Sequence, residues 1–246
     1  MSGATSGITH RRIAILSDST NYLGVDGCRA GWFVVRIRAG AQPIIETMLV
    51  GDFAAVLALR PAPRFVAVDM PIGLLKTASP GGRRCDQEAR SLLGPRRSSV
   101  FSPPLRGHLS AKDWSEVSGI SKQSFHLLPK IREVDSSMTA SRQRRVRETH
   151  PELAFCNLNG APMRFPKRTI EGQRERLKVL QTAISDVEEV YRNALAQFRR
   201  SQVARDDILD ALILAVVAKG MATGGARRVP RRPPRDSQGL LMEIWS

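Results

Sequence analysis

Four aspartates lie where the chain could hold metal ions for chemistry on phosphates. Asp26 and Asp69 each end a run of apolar, strand-like residues, while Asp207 and Asp210 share one face of a late apolar helix. Carboxylates in such buried segments are costly unless they are paired, hydrogen-bonded or bound to metal. Mg²⁺ (or Mn²⁺) prefers oxygen ligands, and two such ions held by acids carry out in-line phosphoryl transfer. For Asp26 alone, an equally good interpretation is that it caps a turn by accepting backbone N–H groups.

The elements that would position these acids are strands and helices in alternation. Periodicity and turn residues predict a hairpin over 22–37, a third strand over 43–50, a helix over 53–59 capped by Asp52, and a central strand over 65–68. Further along they predict a helix over 123–138 capped by Ser121, a last strand over 147–155, one or two helices over 172–198, and a buried helix over 206–218 with Asp206 as its N-cap. Ligand sites of α/β sheets lie beyond the carboxyl ends of strands, so Asp26 and Asp69 meet there if their strands are neighbours.

Composition shifts divide the chain into three parts. Residues 1–20 read as a poorly ordered leader and residues 21–220 as one domain. Within it, residues 76–118 are rich in Arg, Pro, Gly and Ser, and this stretch is too long for an ordinary connection. Residues 221–246 form a basic C-terminal tail that we expect to be mobile, with Leu240–Trp245 as a terminal strand or docked segment.

The charge balance points to a polyanionic partner. The formal net charge is +15, which favours nucleic acid, although a genome that prefers Arg to Lys would produce the same excess. Cys28, Cys85 and Cys156 are far apart and fit neither a disulfide framework nor a zinc site, which indicates a reducing cytoplasm. No apolar run is long enough to cross a bilayer, so no membrane partner is expected.

The order of the acids resembles that of a known superfamily. Two strands that each end in an Asp are followed by the motif Asp-x-x-Asp-Ala on a late helix. This order resembles the ribonuclease H-like superfamily, in particular its Holliday-junction resolvase branch. More closely, the chain resembles the family called domain of unknown function 429, which is described as predicted nucleases of this fold. The matching stretches are 25–32, 68–74, 84–90, 98–101, 119–123, 129–135, 148–152 and 206–211. The resemblance implies an α/β fold: a ribonuclease H-like mixed five-stranded sheet flanked by helices, with the long Arg/Pro/Gly-rich insertion after the fourth strand.

The resemblance also assigns roles to the acids. It implies that Asp26, Asp69 and Asp210 are catalytic metal ligands, with Asp207 as a helper. Glu148 is a rival third acid, because it would lie on a strand beside that of Asp69. The alternative for Glu148 is an ion pair with Arg145 or Arg147, and His150 could either shuttle a proton or serve in a turn or the core.

Several basic and polar residues could contact the phosphates of a substrate. Arg forks match phosphate geometry well, and Arg pairs occur within the insertion. The candidate substrate-binding residues are Arg83, Arg84, Arg96, Arg97, Gln123 and Lys130. The alternative for Lys130 is intrahelical pairing on a solvated face.

These observations lead to a hypothesis of a metal-dependent nuclease that hydrolyses phosphodiester bonds by a two-metal mechanism. The alternative is a catalytically inactive nucleic-acid-binding protein on the same fold. A third class, an ATP-using domain of the actin or sugar-kinase type, ranks last because only one domain copy and no Gly-rich phosphate loops are visible. The sequence leaves open DNA or RNA, the preferred substrate structure and the oligomeric state, a homodimer included.

Overall fold

The computed structural model describes residues 20–246. The strands of its main sheet are β1 (Asn21–Cys28), β2 (Gly31–Arg38), β3 (Ile44–Val50), β4 (Phe65–Val68) and β5 (Val146–Glu148). Their spatial order is β3-β2-β1-β4-β5. The first three strands pair antiparallel, β4 runs parallel to β1, and β5 runs parallel to β4. The predicted mixed five-stranded sheet is therefore confirmed.

Helices cover both faces of this sheet. Within residues 20–246 they are α1 (Phe53–Ala58), α2 (Arg84–Leu93), α3 (Lys122–Ser137), α4 (Pro151–Asn159), α5 (Ile170–Gln181), α6 (Val187–Gln197) and α7 (Arg205–Thr223). Leu23, Val25, Val66 and Val68 point to the face that α1 and α3 cover. The alternate residues, such as Tyr22 and Ala67, point to the face that α4 to α7 cover. Successive side chains of a strand point to opposite faces of the sheet, and this alternation decides which strand residues contact which helices.

Two helix starts agree with the sequence signals. The Asp52 carboxylate accepts a hydrogen bond from the Ala55 N–H at 2.7 Å, and the Ser121 hydroxyl accepts one from the Ser124 N–H at 3.1 Å. Each side chain satisfies a backbone donor that the first turn of a helix leaves free. Pro129 lies inside α3, which continues through it.

The last strand is shorter than predicted. β5 ends at Glu148, and the expected extension to residue 155 is wrong because α4 begins at Pro151. Proline suits the first position of a helix, where its missing N–H costs no hydrogen bond. His150 caps this helix by accepting a hydrogen bond from the Leu153 N–H on Nδ1, at 3.3 Å.

The long connection between β4 and α3 is folded against the rest of the protein. It contains α2 and short 3₁₀ turns over Gly94–Ser99, Arg106–Ser110 and Trp114–Glu116. Buried Cys85, Ala89 and Leu93 of α2 pack with Val100 and with Ile244 near the end of the chain. Apolar burial therefore holds this Arg-rich stretch in place.

The basic C-terminal segment is docked, which corrects the expectation of a mobile tail. Two short strands, β6 (Arg228–Val229) and β7 (Ile244–Trp245), pair antiparallel. Trp245 also bridges to Thr149, next to β5, and so covers that edge of the sheet. Glu243 is buried between the guanidinium groups of Arg147, at 2.5 Å, and Arg228, at 3.2 Å. Paired charges and apolar burial together account for the docking.

Two expectations remain, one on the N-terminal leader and one on membrane spans. The leader predicted over residues 1–20 lies, except for Thr20, outside the described residues. Among the helices from residue 20 onwards, none is long and apolar enough to cross a membrane.

Candidate functional site

Asp26 and Asp69 lie side by side at the carboxyl ends of two parallel strands. Val25 of β1 pairs with Val68 of β4, so the next residue of each strand is an aspartate. The Asp69 N–H continues this ladder by donating to the Val25 carbonyl at 3.0 Å. Adjacent strands lie about 4.8 Å apart, so the two carboxylates start from neighbouring backbone positions. Because side chains alternate, both point to the α7 face.

A glycine in β1 lets α7 approach closely enough to add a third acid. A Cβ built on Gly24 would lie 2.1 Å from the Ala211 carbonyl oxygen and 2.2 Å from the Ala215 nitrogen. The backbones of β1 and α7 are thus in direct contact at this point. Asp210 is the residue before Ala211 and is only 1% exposed. The register of this contact brings Asp210 to the strand-end aspartates.

The electrostatics show that these carboxylates crowd one another. Burial, and then the charges of Asp69 and Asp210, raise the pKa of Asp26 well above its ordinary value. Burial and the charge of Asp210 raise the pKa of Asp69 to about 8. Burial likewise raises the pKa of Asp210, against the opposing effect of Lys167. A cluster of this kind requires either protons or a bound cation.

Lys167 supplies one such cation. It lies in the loop between α4 and α5, and its ammonium nitrogen is 2.6 Å from Asp210 Oδ2 and 3.6 Å from Asp206 Oδ2. The charge of Asp210, more than that of Asp26, raises the pKa of Lys167, so the side chain stays protonated. Sequence reasoning missed this residue, because a lysine in a loop far along the chain from each strand carries no recognisable spacing.

The donor set suits a divalent ion. Asp210 Oδ1 is buried and has no hydrogen-bond partner within residues 20–246. The carboxylates of Asp26 and Asp69 accept no hydrogen bond from any described residue, so Asp26 does not cap the turn. Hard, charged oxygen atoms of this type are what Mg²⁺ or Mn²⁺ selects. As the side chains stand, however, the described residues contain no group of three or more His, Cys, Asp or Glu arranged to hold a metal.

Asp207 caps helix α7 and also adds a negative charge to the cluster. Its Oδ2 accepts a hydrogen bond from the Ala204 N–H at 2.8 Å, which caps the start of α7. Asp206, which we expected to be the N-cap, instead pairs with Lys167 and Arg168. The charge of Asp207 still contributes to the raised pKa of Asp26.

Glu148 lies on the opposite face of the sheet from the aspartates. It pairs directly with Val68 in the parallel ladder, so its side chain points away from α7. Its Oε2 accepts hydrogen bonds from the Ile72 N–H at 2.7 Å and from Arg83 Nη1 at 2.8 Å. The ion-pair partner is thus Arg83 and not Arg145 or Arg147. Glu148 anchors the loop that follows Asp69, and its two oxygens are engaged by Arg83 and the Ile72 N–H. Its charge still contributes to the raised pKa of Asp69.

Arg83 is a structural residue and not a surface contact for phosphate. It is 3% exposed. Its guanidinium group donates to Asp86, Glu148 and the Ile72 and Gly73 carbonyls. Burial alone would lower the pKa of Arg83, but Asp86 and Glu148 raise it well above its ordinary value. The charge is therefore retained and already satisfied, so none of it is available to a substrate.

The other candidate arginines between β4 and α3 are more accessible. Arg84 is exposed and pairs with Glu88 on the same helix at 2.8 Å. Arg96 is partly buried, 3.5 Å from Glu152 Oε2. Arg97 is exposed, and its side chain makes no hydrogen bond or ion pair with any residue from 20 to 246. Arg97 is thus the best placed of the three to meet a phosphate.

Two further candidate substrate contacts lie on α3. The side chain of Gln123 is outside the described part of the protein. Lys130 donates to the Gly31 carbonyl at 2.6 Å and lies over the Trp32 ring, 4.5 Å from its centroid. Lys130 therefore braces the β1–β2 turn, which differs from both the intrahelical pairing and the phosphate contact considered from the sequence.

His150 fits the turn-forming interpretation. In addition to capping α4, its Nε2 lies 3.1 Å from the Ser99 carbonyl, so this nitrogen is the donor and Nδ1 the acceptor. Burial lowers the pKa of His150, which favours this neutral form. With Asp69 and Phe101, His150 lines a small pocket beside the acidic cluster. Both ring nitrogens are engaged, so neither is free to carry protons.

Fold and site together define an α/β protein with a mixed five-stranded sheet, whose acidic cluster lies between the carboxyl ends of two parallel strands and a buried helix. The chain belongs to the family described as Protein of unknown function (DUF429), whose model matches residues 24–235. No curated protein matches the chain, and no solved structure does.

Proposed function

We propose that this protein is a divalent-metal-dependent nuclease of the ribonuclease H-like superfamily, on its resolvase-like branch. The observation that carries the proposal is that Asp26 and Asp69 follow neighbouring parallel strands, and that the charge of buried Asp210 raises the pKa of both. One carboxylate oxygen of Asp210, Oδ1, is buried without a partner among residues 20–246. Structural carboxylates in a core are normally hydrogen-bonded or paired. Oxygens left without partners at the ligand-binding edge of a sheet indicate a site for a ligand.

The topology supports the superfamily assignment. Three antiparallel strands are followed by two parallel ones, and a final helix carries acids to the strand ends. This is the layout that the resemblance implies. Fold analogy alone does not establish an activity. The acidic side chains are the feature that points to chemistry.

Asp26, Asp69 and Asp210 would hold the metal, with Asp210 Oδ1 as the oxygen that has no other role. A bound divalent ion lowers the pKa of a coordinated water towards neutrality and stabilises the charge of the leaving oxygen. The chain does the rest of the positioning. Glu148 fixes the loop after Asp69 by accepting the Ile72 N–H.

The substrate class follows from charge. The net charge of +15 attracts a polyanion, and exposed Arg97 and Arg84 offer guanidinium groups for phosphates. Nucleic acid is the polyanion whose phosphodiester bonds divalent-metal chemistry of this type cleaves. We therefore propose nucleic acid, DNA or RNA, as the substrate.

One observation favours the alternative, a nucleic-acid-binding protein without catalysis. The Lys167 ammonium lies against Asp210 inside the cluster. If this lysine excluded metal altogether, the protein would bind nucleic acid through its basic residues and leave it intact. The two functions differ in whether bound substrate is cut when Mg²⁺ or Mn²⁺ is added.

The experiment is a cleavage assay on junction, flap, single-stranded and hybrid substrates, with Mg²⁺, Mn²⁺ or EDTA. We expect metal-dependent cutting by the wild type and none by Asp26→Asn, which keeps the shape of the side chain and removes a ligand charge. Asp186→Asn is the matched control, because Asp186 is exposed and makes no side-chain cap bond. Equal cleavage by Asp26→Asn and wild type would refute the assignment. Tight binding that is independent of metal, without any cleavage, would favour the alternative.

A further inference from the structure

The ammonium group of Lys167 takes part in the acidic cluster in a way that a surface lysine does not. It is 2.6 Å from Asp210 Oδ2, and Asp210 is 1% exposed. The Lys167 side chain is 36% exposed, so it lies at the edge of the cluster and is not enclosed by it. The other Asp210 oxygen, Oδ1, has no partner among residues 20–246. Lys167 therefore neutralises one side of the cluster and leaves the other side open.

The loop that carries Lys167 is built to hold it there. The Glu175 carboxylate accepts the N–H groups of Arg164 and Phe165 at 2.9–3.1 Å. The fully buried Arg176 donates to the Phe165 carbonyl at 3.2 Å. These bonds fix the backbone immediately before Lys167.

The residues just after Lys167 are held as firmly. The Thr169 hydroxyl caps α5 by accepting the Gly172 N–H at 3.0 Å. A Cβ on Gly172 would lie 1.9 Å from the Pro166 carbonyl oxygen, so only glycine lets the loop and the helix touch. Lys167 is thus held from both sides by a braced turn.

The contact between Lys167 and Asp210 counts in favour of one metal ion. The ammonium group already occupies Asp210 Oδ2, so only Oδ1 of this carboxylate is left without a partner among residues 20–246. Asp207 offers little more, because its Oδ2 accepts the Ala204 N–H. A second divalent ion would have to displace the ammonium group, whose charge also repels it.

We propose that Lys167 is a built-in cation of the site and takes the place of a second metal, so that the cluster binds a single divalent ion. This inference rests on the proposed function and replaces the two ions expected from the sequence by one ion and a lysine. Asp210 would then be shared, with Oδ2 on Lys167 and Oδ1 available to the metal.

The test is calorimetric titration of metal-free protein with Mn²⁺, and it requires no substrate. We expect one Mn²⁺ per chain in the wild type and two in Lys167→Met, because removal of the ammonium group frees Asp210 Oδ2. The first ion should also bind at least about tenfold more tightly in this variant, since a repelling charge a few ångströms away is gone. Arg168→Met is the matched control: Arg168 is the next residue, 87% exposed, and lies 3.7 Å from Asp206. It loses the same charge and should still bind one ion.

Each failure has its own signature. Two ions in the wild type, or a single ion in Lys167→Met, would overturn the role of Lys167 and leave the metal-dependent nuclease standing. No Mn²⁺ in the wild type would overturn both proposals. Should Lys167→Met not fold, the wild-type stoichiometry decides alone, and Lys167→Arg, which keeps the charge, should match it.

Discussion

The buried guanidinium of Arg83 provides a sharp test of how the site is supported. Arg83→Met leaves two buried carboxylates, those of Asp86 and Glu148, facing each other without a cation. It also removes the donor to the Ile72 and Gly73 carbonyls, in the loop that follows Asp69. We therefore expect a large loss of stability.

The magnitude follows from the burial of the pair. The side chains of Arg83 and Asp86 are 2% and 1% exposed, so water cannot replace the lost bonds. Removing one partner of a buried ion pair lowers the free energy of unfolding by about 3–5 kcal/mol. For a chain of this length that corresponds to a fall in melting temperature of about 10 °C.

Arg84→Met is the matched control, since it is the next residue and loses the same charge. Its side chain is 66% exposed in an ion pair with Glu88, and pairs of this kind contribute only about 0.5 kcal/mol. The assay is thermal and urea denaturation of both variants, together with oligonucleotide affinity measured at several salt concentrations. If Arg83→Met melts like Arg84→Met but binds oligonucleotide more weakly, Arg83 contacts phosphate and the structural role is wrong.

Three further predictions concern pH, substrate charge and the end of the chain. The pKa of Asp69, raised to about 8 from an ordinary 3.8, means that the folded state holds the proton more strongly. In EDTA the stability that this proton provides should be complete below about pH 4 and lost as pH rises through about 8. Asp69→Asn should flatten this dependence of melting temperature on pH, and an unchanged slope would contradict the crowded cluster. Arg97→Ala should lower the slope of log affinity against log salt by about one unit, measured by fluorescence anisotropy, if Arg97 meets one phosphate. Removing residues 240–246 deletes buried Leu240, Met242 and Ile244, so the free energy of unfolding should fall by about 5 kcal/mol or more. A truncated protein that melts like the full chain would show that the docking is weak.

Local patterns in the sequence were enough to predict most strands and helices near the site. The apolar runs of β1 and β2, the doubly apolar β4 and the largely apolar α7 appear where the sequence pattern predicted them. Asp52 and Ser121 cap helices as their residue types indicate. Such patterns predict local structure reliably because they depend only on residues close together in the sequence.

The sequence predicted that Asp26 and Asp69 would meet if their strands were neighbours, and β1 and β4 do lie side by side. That Asp210 completes a metal site with them stays a prediction. The sequence could not predict on which face Glu148 lies, because that depends on the register in which β5 pairs with β4. In the structure the period of two places Glu148 on the face away from the aspartates.

Only the tertiary structure shows which basic side chains pair with the acids of this region. Arg83 is 65 residues from Glu148, and Lys167 is 43 residues from Asp210. Neither pairing has a local signature, because each joins segments that are far apart in the chain and meet only when the protein folds. The close approach of α7 to Gly24 positions Asp210 for the second pairing. An arginine-rich sequence does not say which of its guanidinium groups are desolvated and paired and which face solvent, since that depends on the surface each segment buries. The acids are thus encoded by position within their own strands and helix, and the charges that balance them are encoded only by the fold.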